Sequence, residues 1–247
     1  SADEGSEIMQ NRFIIIGAGM AGASAGYWLS EHADVLVLER ESQPGYHTTG
    51  RSAAMFIETY GPPLVRALTM GSRPFYETPP LGFTEQPLLT RRGVLQIGTQ
   101  AHQALLDKSY AIACDVGSEV YRLSPSEALA HVPVLRAERL TGAIYEPDPT
   151  DIDVHALHQG FLKGIKQNGS EIILSAEVTA LIHTDGVWQI ETTAGDFTAA
   201  TLINAAGAWC DETAKLAGIP PVGLVPKRRS AFIFAPSPYT SPPASWT

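Results

Sequence analysis

The chain has 247 residues, 44% hydrophobic, 8% aromatic and 17% charged, with 17 Lys and Arg against 26 Asp and Glu for a net charge of -9. That is enough apolar material for one large core or two modest ones, and it excludes global disorder. The acidic balance is the opposite of a general nucleic-acid or anionic-membrane binder, and no apolar run is long enough for a transmembrane helix.

Residues 1–11 are polar and acidic, unlike a signal peptide, and read as a disordered tail. Arg12 to Ile16 is a β-branched run without alternation, as expected of a strand buried on both faces of a parallel sheet. Gly17-Ala18-Gly19-Met20-Ala21-Gly22 follows, then a helix over Ala23 to Glu31 and a second strand over Asp34 to Leu38. From Ser42 to Gly61 periodicity is lost. A helix is predicted over 64–76, strands near 88–89 and 94–97, and helices over 102–110 and 124–131. Ser124-Pro125-Ser126-Glu127 has the form of a capping box with proline in the first turn. A strand over Thr141 to Tyr145 leads into the turn Glu146-Pro147-Asp148-Pro149. Asp153 then caps an amphipathic helix over Val154 to Gln167, which Asn168-Gly169 ends. A short strand over 171–174 precedes a β-meander at 177–183, 187–193 and 196–199, punctuated by Asp185-Gly186 and Ala194-Gly195. Thr201 to Asn204 is a further buried strand, followed by a helix reaching Leu216 and a strand at 231–234. Hydrophobic elements remain unpartnered at the end, so the chain is expected to be C-terminally truncated. Cys114 and Cys210 lie far apart and are expected as reduced thiols of a cytoplasmic protein.

Gly17-x-Gly19-x-x-Gly22 stands between a strand and a helix, the context in which this motif binds a dinucleotide. Gly17 permits the tight turn, Gly19 lets the backbone approach a pyrophosphate, and Gly22 lets helix and strand pack closely. The diphosphate would rest on free N–H groups at the positive end of the helix. Glu39, about 20 residues on at the end of the second strand, would accept hydrogen bonds from ribose hydroxyls and repel a 2′-phosphate.

Between FAD and NAD, a resemblance decides. Ile14 to Arg40 with Gly45 to Ala54, Thr150 to Gly164, Leu202 to Trp209 and Pro226 to Phe232 resembles the D-amino-acid oxidase/glycine oxidase superfamily of FAD-dependent oxidoreductases. Within it the chain is most similar to bacterial D-amino-acid dehydrogenases of the D-arginine type. The resemblance implies a Rossmann-like FAD-binding domain, with parallel sheet and β-meander, at 12–85 and 150–215. An interleaved, incomplete substrate domain would comprise 86–149 and 216–247, an α/β (α+β overall) fold. It implies that Arg40 contacts the cofactor, that Thr48, Thr49, Arg51 and Ser52 line the flavin's pyrophosphate–ribityl stretch, and that Ala53 and Ala54 lie near the ring. Val178 would meet the adenine through its backbone, while Ala205, Ala206, Gly207 and Trp209 would flank the cofactor.

The implied reaction is oxidation of a D-amino acid or related amine by hydride transfer to flavin N5, giving an imine. It needs the carboxylate anchored and the Cα–H held over the flavin. Arg229, or its neighbour Arg228, resembles the family's carboxylate-anchoring position, and Tyr60 an active-site tyrosine. The electron acceptor is not indicated. Met55, Phe56 and Ile57 replace more polar residues of the family pattern, and Gly93-Val94 offers no acid for a guanidinium, so an apolar pocket wall is expected. A flavin-binding but non-catalytic fragment and an NAD-linked dehydrogenase are the rival readings. His155 and His158, three apart, read as a solvated helix face rather than metal ligands, and no metal site is expected.

Overall fold

The computed structural model describes residues 12–228 and 230. The expected tail, Arg229 and the expected strand at 231–234 lie outside the described residues. The described chain forms two compact units. One comprises 12–53, 81–86 and 154–228, the other 54–80 and 87–153.

The first unit is built on a four-stranded parallel sheet of β1 (Arg12–Ile16), β2 (Asp34–Leu38), β9 (Glu171–Ile173) and β13 (Thr201–Asn204), in the order β13-β1-β2-β9. Ile14, Ile15 and Val35 to Leu38 are almost wholly buried, which is why this stretch lacks the alternation of a half-exposed strand. Helix α1 (Met20–Ser30) joins β1 to β2. It starts three residues before its expected position because Gly19 is the N-cap and the glycine-rich turn runs straight into helical backbone.

On one face of the sheet lies the meander of β10 (Val178–Thr184), β11 (Val187–Thr192) and β12 (Gly195–Ala199). Its Leu181, Ile190 and Ala199 share a core with Ile14, Ile16, Leu36 and Leu38. Helix α1 packs against α5 (Val154–Gln167) at close range. A Cβ on Gly26 would lie 2.8 Å from Ile165, and one on Gly164 would lie 2.3 Å from the Tyr27 ring. Tyr27, Phe83 and Phe161 pack with centroids 5.2–5.6 Å apart, which draws the segment 81–86 into this unit. Helix α5 ends at Gln167 and is followed by Gly169, whose φ of +82° takes the left-handed conformation common just past a helix end.

The second unit holds two small antiparallel sheets, β3 (Met55–Phe56), β8 (Thr150–Ile152) and β4 (Leu89–Arg91), and β5 (Val94–Gly98), β7 (Gly142–Glu146) and β6 (Tyr121–Leu123). With them go α2 (Pro63–Glu77), α3 (Gln103–Asp115) and α4 (Pro125–His131). Strands β3 and β8 pair with each other, so 54–80 and 150–153 fall in this unit rather than with the parallel sheet. Conversely, 216–228 fall in the first unit. There the Asp211 carboxylate accepts from the N–H groups of Val222, Gly223 and Leu224 at 2.7–3.1 Å. None of the strands between 86 and 149 joins the parallel sheet. Cys114 and Cys210 are both free, and among the described residues no helix is long and apolar enough to cross a membrane.

Candidate cofactor site

The site follows from how the parallel strands end. The Gly17 N–H donates to the Leu38 carbonyl at 2.8 Å, and the Ala205 N–H donates to the Ile16 carbonyl at 2.9 Å. These bonds draw the ends of β1, β2 and β13 together, and a cavity of about 310 Å³ opens there. The carboxyl edge of an open parallel sheet is where such folds take their ligands.

The three motif glycines have different reasons to be glycine. A Cβ on Gly17, whose φ is +104°, would lie 2.5 Å from the Ala205 carbonyl oxygen, and one on Gly22 would lie 1.8 Å from that of Gly17. Both are demanded by the protein's own packing. Gly19 is not: its φ of -75° suits any residue, and the nearest atom to a Cβ there is Thr49 Oγ1 at 3.4 Å. It lines the cavity at the N-cap of α1. Its bare Cα leaves space for a ligand rather than for the fold, and the first-turn N–H groups of α1 have no intrahelical acceptors.

Glu39 is buried beside this turn. Its Oε2 accepts from the Ala18 N–H at 2.8 Å and its Oε1 from the Glu41 N–H at 3.0 Å, and each oxygen keeps lone-pair capacity for a hydroxyl donor. Thr49 Oγ1 accepts from the Met20 N–H at 3.0 Å, so the loop after β2 is tied to the start of α1. At another part of the wall the Arg40 guanidinium lies 4.7 Å from the Trp209 ring centroid. The His47 ring packs on the same indole at 4.7 Å, and Glu41 Oε1 pairs with both His47, at 2.8 Å, and Arg40, at 3.3 Å.

Of the expected cofactor residues, Gly17, Gly19, Glu39, Arg40, Thr48, Thr49, Val178, Ala206, Gly207 and Trp209 line this one cavity, with Ala205 beside them. Gly22 stands behind it, under Gly17. Arg51, Ser52 and Ala53 are exposed and do not line it; the Arg51 guanidinium rests 5.1 Å from the Tyr46 ring. Ala54 and Tyr60 belong to the second unit, where Tyr60 is 69% exposed. Arg228 is exposed, and Arg229 lies outside the described residues.

Three expectations are corrected. His158 is not on a solvated face: it is buried, with Nε2 2.8 Å from the Ala18 carbonyl oxygen, while His155 is exposed. The signal was present, since Phe161 and Leu162 lie three and four residues on and place His158 in the apolar stripe of α5. Phe56 is not a pocket wall. It is buried within the second unit against Tyr76 at 5.5 Å, with Arg73 5.0 Å from its ring. The region of Gly93-Val94 does carry an acid: Glu146 stands opposite Val94 across β5 and β7, buried, with Gln96 Nε2 3.3 Å from its Oε1. Desolvation raises its pKa, hydrogen bonds from Thr59 and Gln96 partly oppose this, and Asp148 adds to the rise. Among the described residues no group of three or more His, Cys, Asp or Glu could hold a metal.

A glycine-rich turn, the N-terminus of α1 and a carboxylate at the end of β2, gathered at the edge of a parallel sheet, define a dinucleotide-binding protein. The chain belongs to the FAD dependent oxidoreductase family, whose model matches residues 12–246. It is 26% identical over 220 residues to human mitochondrial dimethylglycine dehydrogenase, an alignment covering 83% of this chain and 24% of that protein. It is 25% identical over 225 residues to N-methyl-L-tryptophan oxidase of Escherichia coli K12, covering 88% and 59%. Glycine oxidase from Geobacillus kaustophilus shares the fold with a TM-score of 0.74 at 24% identity, over 85% of this chain and 59% of that one. The FAD-bound L-alpha-glycerophosphate oxidase from Mycoplasma pneumoniae does so with a TM-score of 0.74 at 19% identity, over 85% and 57%. The chain thus spans between a quarter and three-fifths of the length of these proteins. The cofactor is FAD, and the space left at Gly19 beside the first turn of α1 fits its diphosphate.

Proposed function

We propose that this chain is the cofactor-binding portion of an enzyme that oxidises an amino acid or amine with FAD. Bound flavin supplies the hydride acceptor; the chain supplies the cradle. In this reading Gly19 and the first turn of α1 hold the diphosphate, Glu39 takes the ribose hydroxyls, and the main chain at Val178 meets the adenine. Ala205 to Gly207 and Trp209 flank the cofactor, with Arg40 stacked on the indole. Thr48 and Thr49 lie along the ribityl stretch with Arg51 and Ser52, and Ala53 and Ala54 lie towards the ring. Arg229, or Arg228, would anchor a substrate carboxylate through a charge-assisted fork, with Tyr60 at the active site. The observation that carries the reading is Gly19, a cavity-lining glycine that the fold itself does not require.

The substrate proposed is a D-amino acid or related secondary amine with a small or apolar side chain, from the apolar Met55 and Ile57. The relative named for N-methyl-L-tryptophan, a secondary amine, supports the secondary-amine form. The test is an absorbance spectrum of the purified protein, followed by turnover of the full-length enzyme on D- and L-amino acids, their N-methyl derivatives, and arginine of both hands. A flavin spectrum and preference for small or apolar amines are expected. NAD binding without flavin would sink the cofactor reading, and a strong preference for D-arginine would sink the substrate reading alone. Arg229→Met should raise KM steeply for carboxylate substrates if the anchor is correctly placed.

A further inference from the structure

We propose that His158 is a positioning residue that locks the Ala18–Gly19 peptide so that the Gly19 N–H, and not the Ala18 carbonyl, faces the cofactor diphosphate. The proposal rests on the reading of the cavity as the FAD site.

The His158 Nε2 is 2.8 Å from the Ala18 carbonyl oxygen, 140 residues away in sequence. A carbonyl oxygen can only accept, so Nε2 carries the proton and donates it. The ring is buried. Desolvation lowers its pKa, the bond to Ala18 opposes this, and His155 and Glu39 act in opposite senses from α5 and from the end of β2. A neutral imidazole protonated at Nε2 is the form that satisfies the site. The ring is also wedged from its other side, for a Cβ on Gly45 would lie 2.8 Å from His158 Cε1. It cannot swing away without displacing the 45–50 turn, itself closed by the Gly50 N–H on the Gly45 carbonyl at 2.7 Å.

The consequence lies one bond further along the chain. The Ala18 carbonyl and the Gly19 N–H belong to one planar trans peptide and point in opposite directions. Fixing the oxygen on His158 turns the Gly19 N–H away from α5. That N–H has no hydrogen-bond partner among the described residues, and Gly19 lines the cavity. Glycine at 19 makes a flip of this peptide inexpensive. A flip would aim the negative end of a carbonyl dipole at an anion. Glu39 holds the preceding peptide by the Ala18 N–H, so both neighbouring peptides of the turn are held, one by an acceptor and one by a donor.

The test uses flavin-free protein and separates phosphate recognition from adenine recognition. His158→Phe fills similar space without a donor, and His158→Gln keeps one. Binding of FAD, ADP and adenosine is measured by titration calorimetry. His158→Phe should weaken ADP and FAD by about tenfold or more, one hydrogen bond's worth of orientation, and adenosine by less than about twofold. His158→Gln should recover most of the loss, and 15N spectra of the wild type should show the imidazole protonated at Nε2. Should His158→Phe fail to fold, His158→Met serves as the donor-free variant. Wild-type ADP affinity in a donor-free variant, or equal losses of ADP and adenosine, would overturn the lock and leave the FAD reading intact. A wild type that binds neither FAD nor ADP would instead overturn the reading on which the lock rests.

Discussion

Alanine at residues 19 and 22 should have opposite consequences, although the two glycines belong to one motif. Gly19→Ala adds a Cβ that meets no protein atom closer than 3.4 Å. Its thermal unfolding should therefore stay close to wild type, while FAD affinity falls by at least about tenfold because the methyl stands where a phosphate would approach. Gly22→Ala puts a Cβ 1.8 Å from the Gly17 carbonyl oxygen. It should cost about 1–3 kcal/mol or more of stability, as overpacking does, and be visible in flavin-free protein by urea unfolding. Equal effects of the two substitutions on stability would show that Gly19 is a packing glycine after all. The motif was legible in sequence because its logic is local: strand, turn, helix within 20 residues. The supporting shell was not. His158 and Glu39 converge on Ala18 from 140 and 21 residues away, a pairing that no local pattern announces.

The sheet of β5, β7 and β6 carries an acid in its interior, and this sets its pH response. Glu146 is buried and its pKa raised, chiefly by desolvation. A folded-state value above the unfolded one means the unfolded chain releases its proton first as pH rises. The contribution to stability is whole below the ordinary glutamate range and is lost as pH climbs through the raised folded value. Glu146→Gln keeps hydrogen-bonding capacity towards Gln96 and Thr59 and removes the charge. Its urea midpoint should gain on the wild type as pH rises from about 4 to about 8. A gap that does not widen would place the acid in water. Elements with long periodic runs were readable: the stripe of α5 and the capping box of Ser124 and Glu127 in α4, whose bonds measure 2.7 and 3.3 Å. The hairpin turn at Asp185-Gly186 was readable too, with φ of +53° and +79°. Strands β3 and β8 are two and three residues long. They were missed because so short a run has no period, and only its partner makes it a strand.

For the molecule as a whole, the parallel sheet is a contract between distant parts of the chain. Strand β1 lies between β2, which follows closely, and β13, with Phe13 opposite Thr201. The cavity inherits this arrangement, since its wall runs from Ile16 to Leu216. A ligand there binds the assembled state and not its parts. FAD at about 100 times its Kd should add about 2.7 kcal/mol to unfolding of the first unit, read as a rise in its melting temperature. Gly19→Ala, with affinity about tenfold weaker, should cut that gain to about 1.4 kcal/mol or less at the same FAD concentration. No local pattern announces that β3 pairs with β8 nearly 100 residues later.

The same spacing imposes an order in time. At about 5–20 residues per second, the ribosome needs about 10–40 s between making β1 and making β13. Throughout that interval the glycine-rich turn exists, but Ala205, whose N–H closes the strand ends over it, does not. Flavin capture therefore waits for β13: scarcity of FAD confined to the interval before Ala205 is made should leave the loaded fraction unchanged.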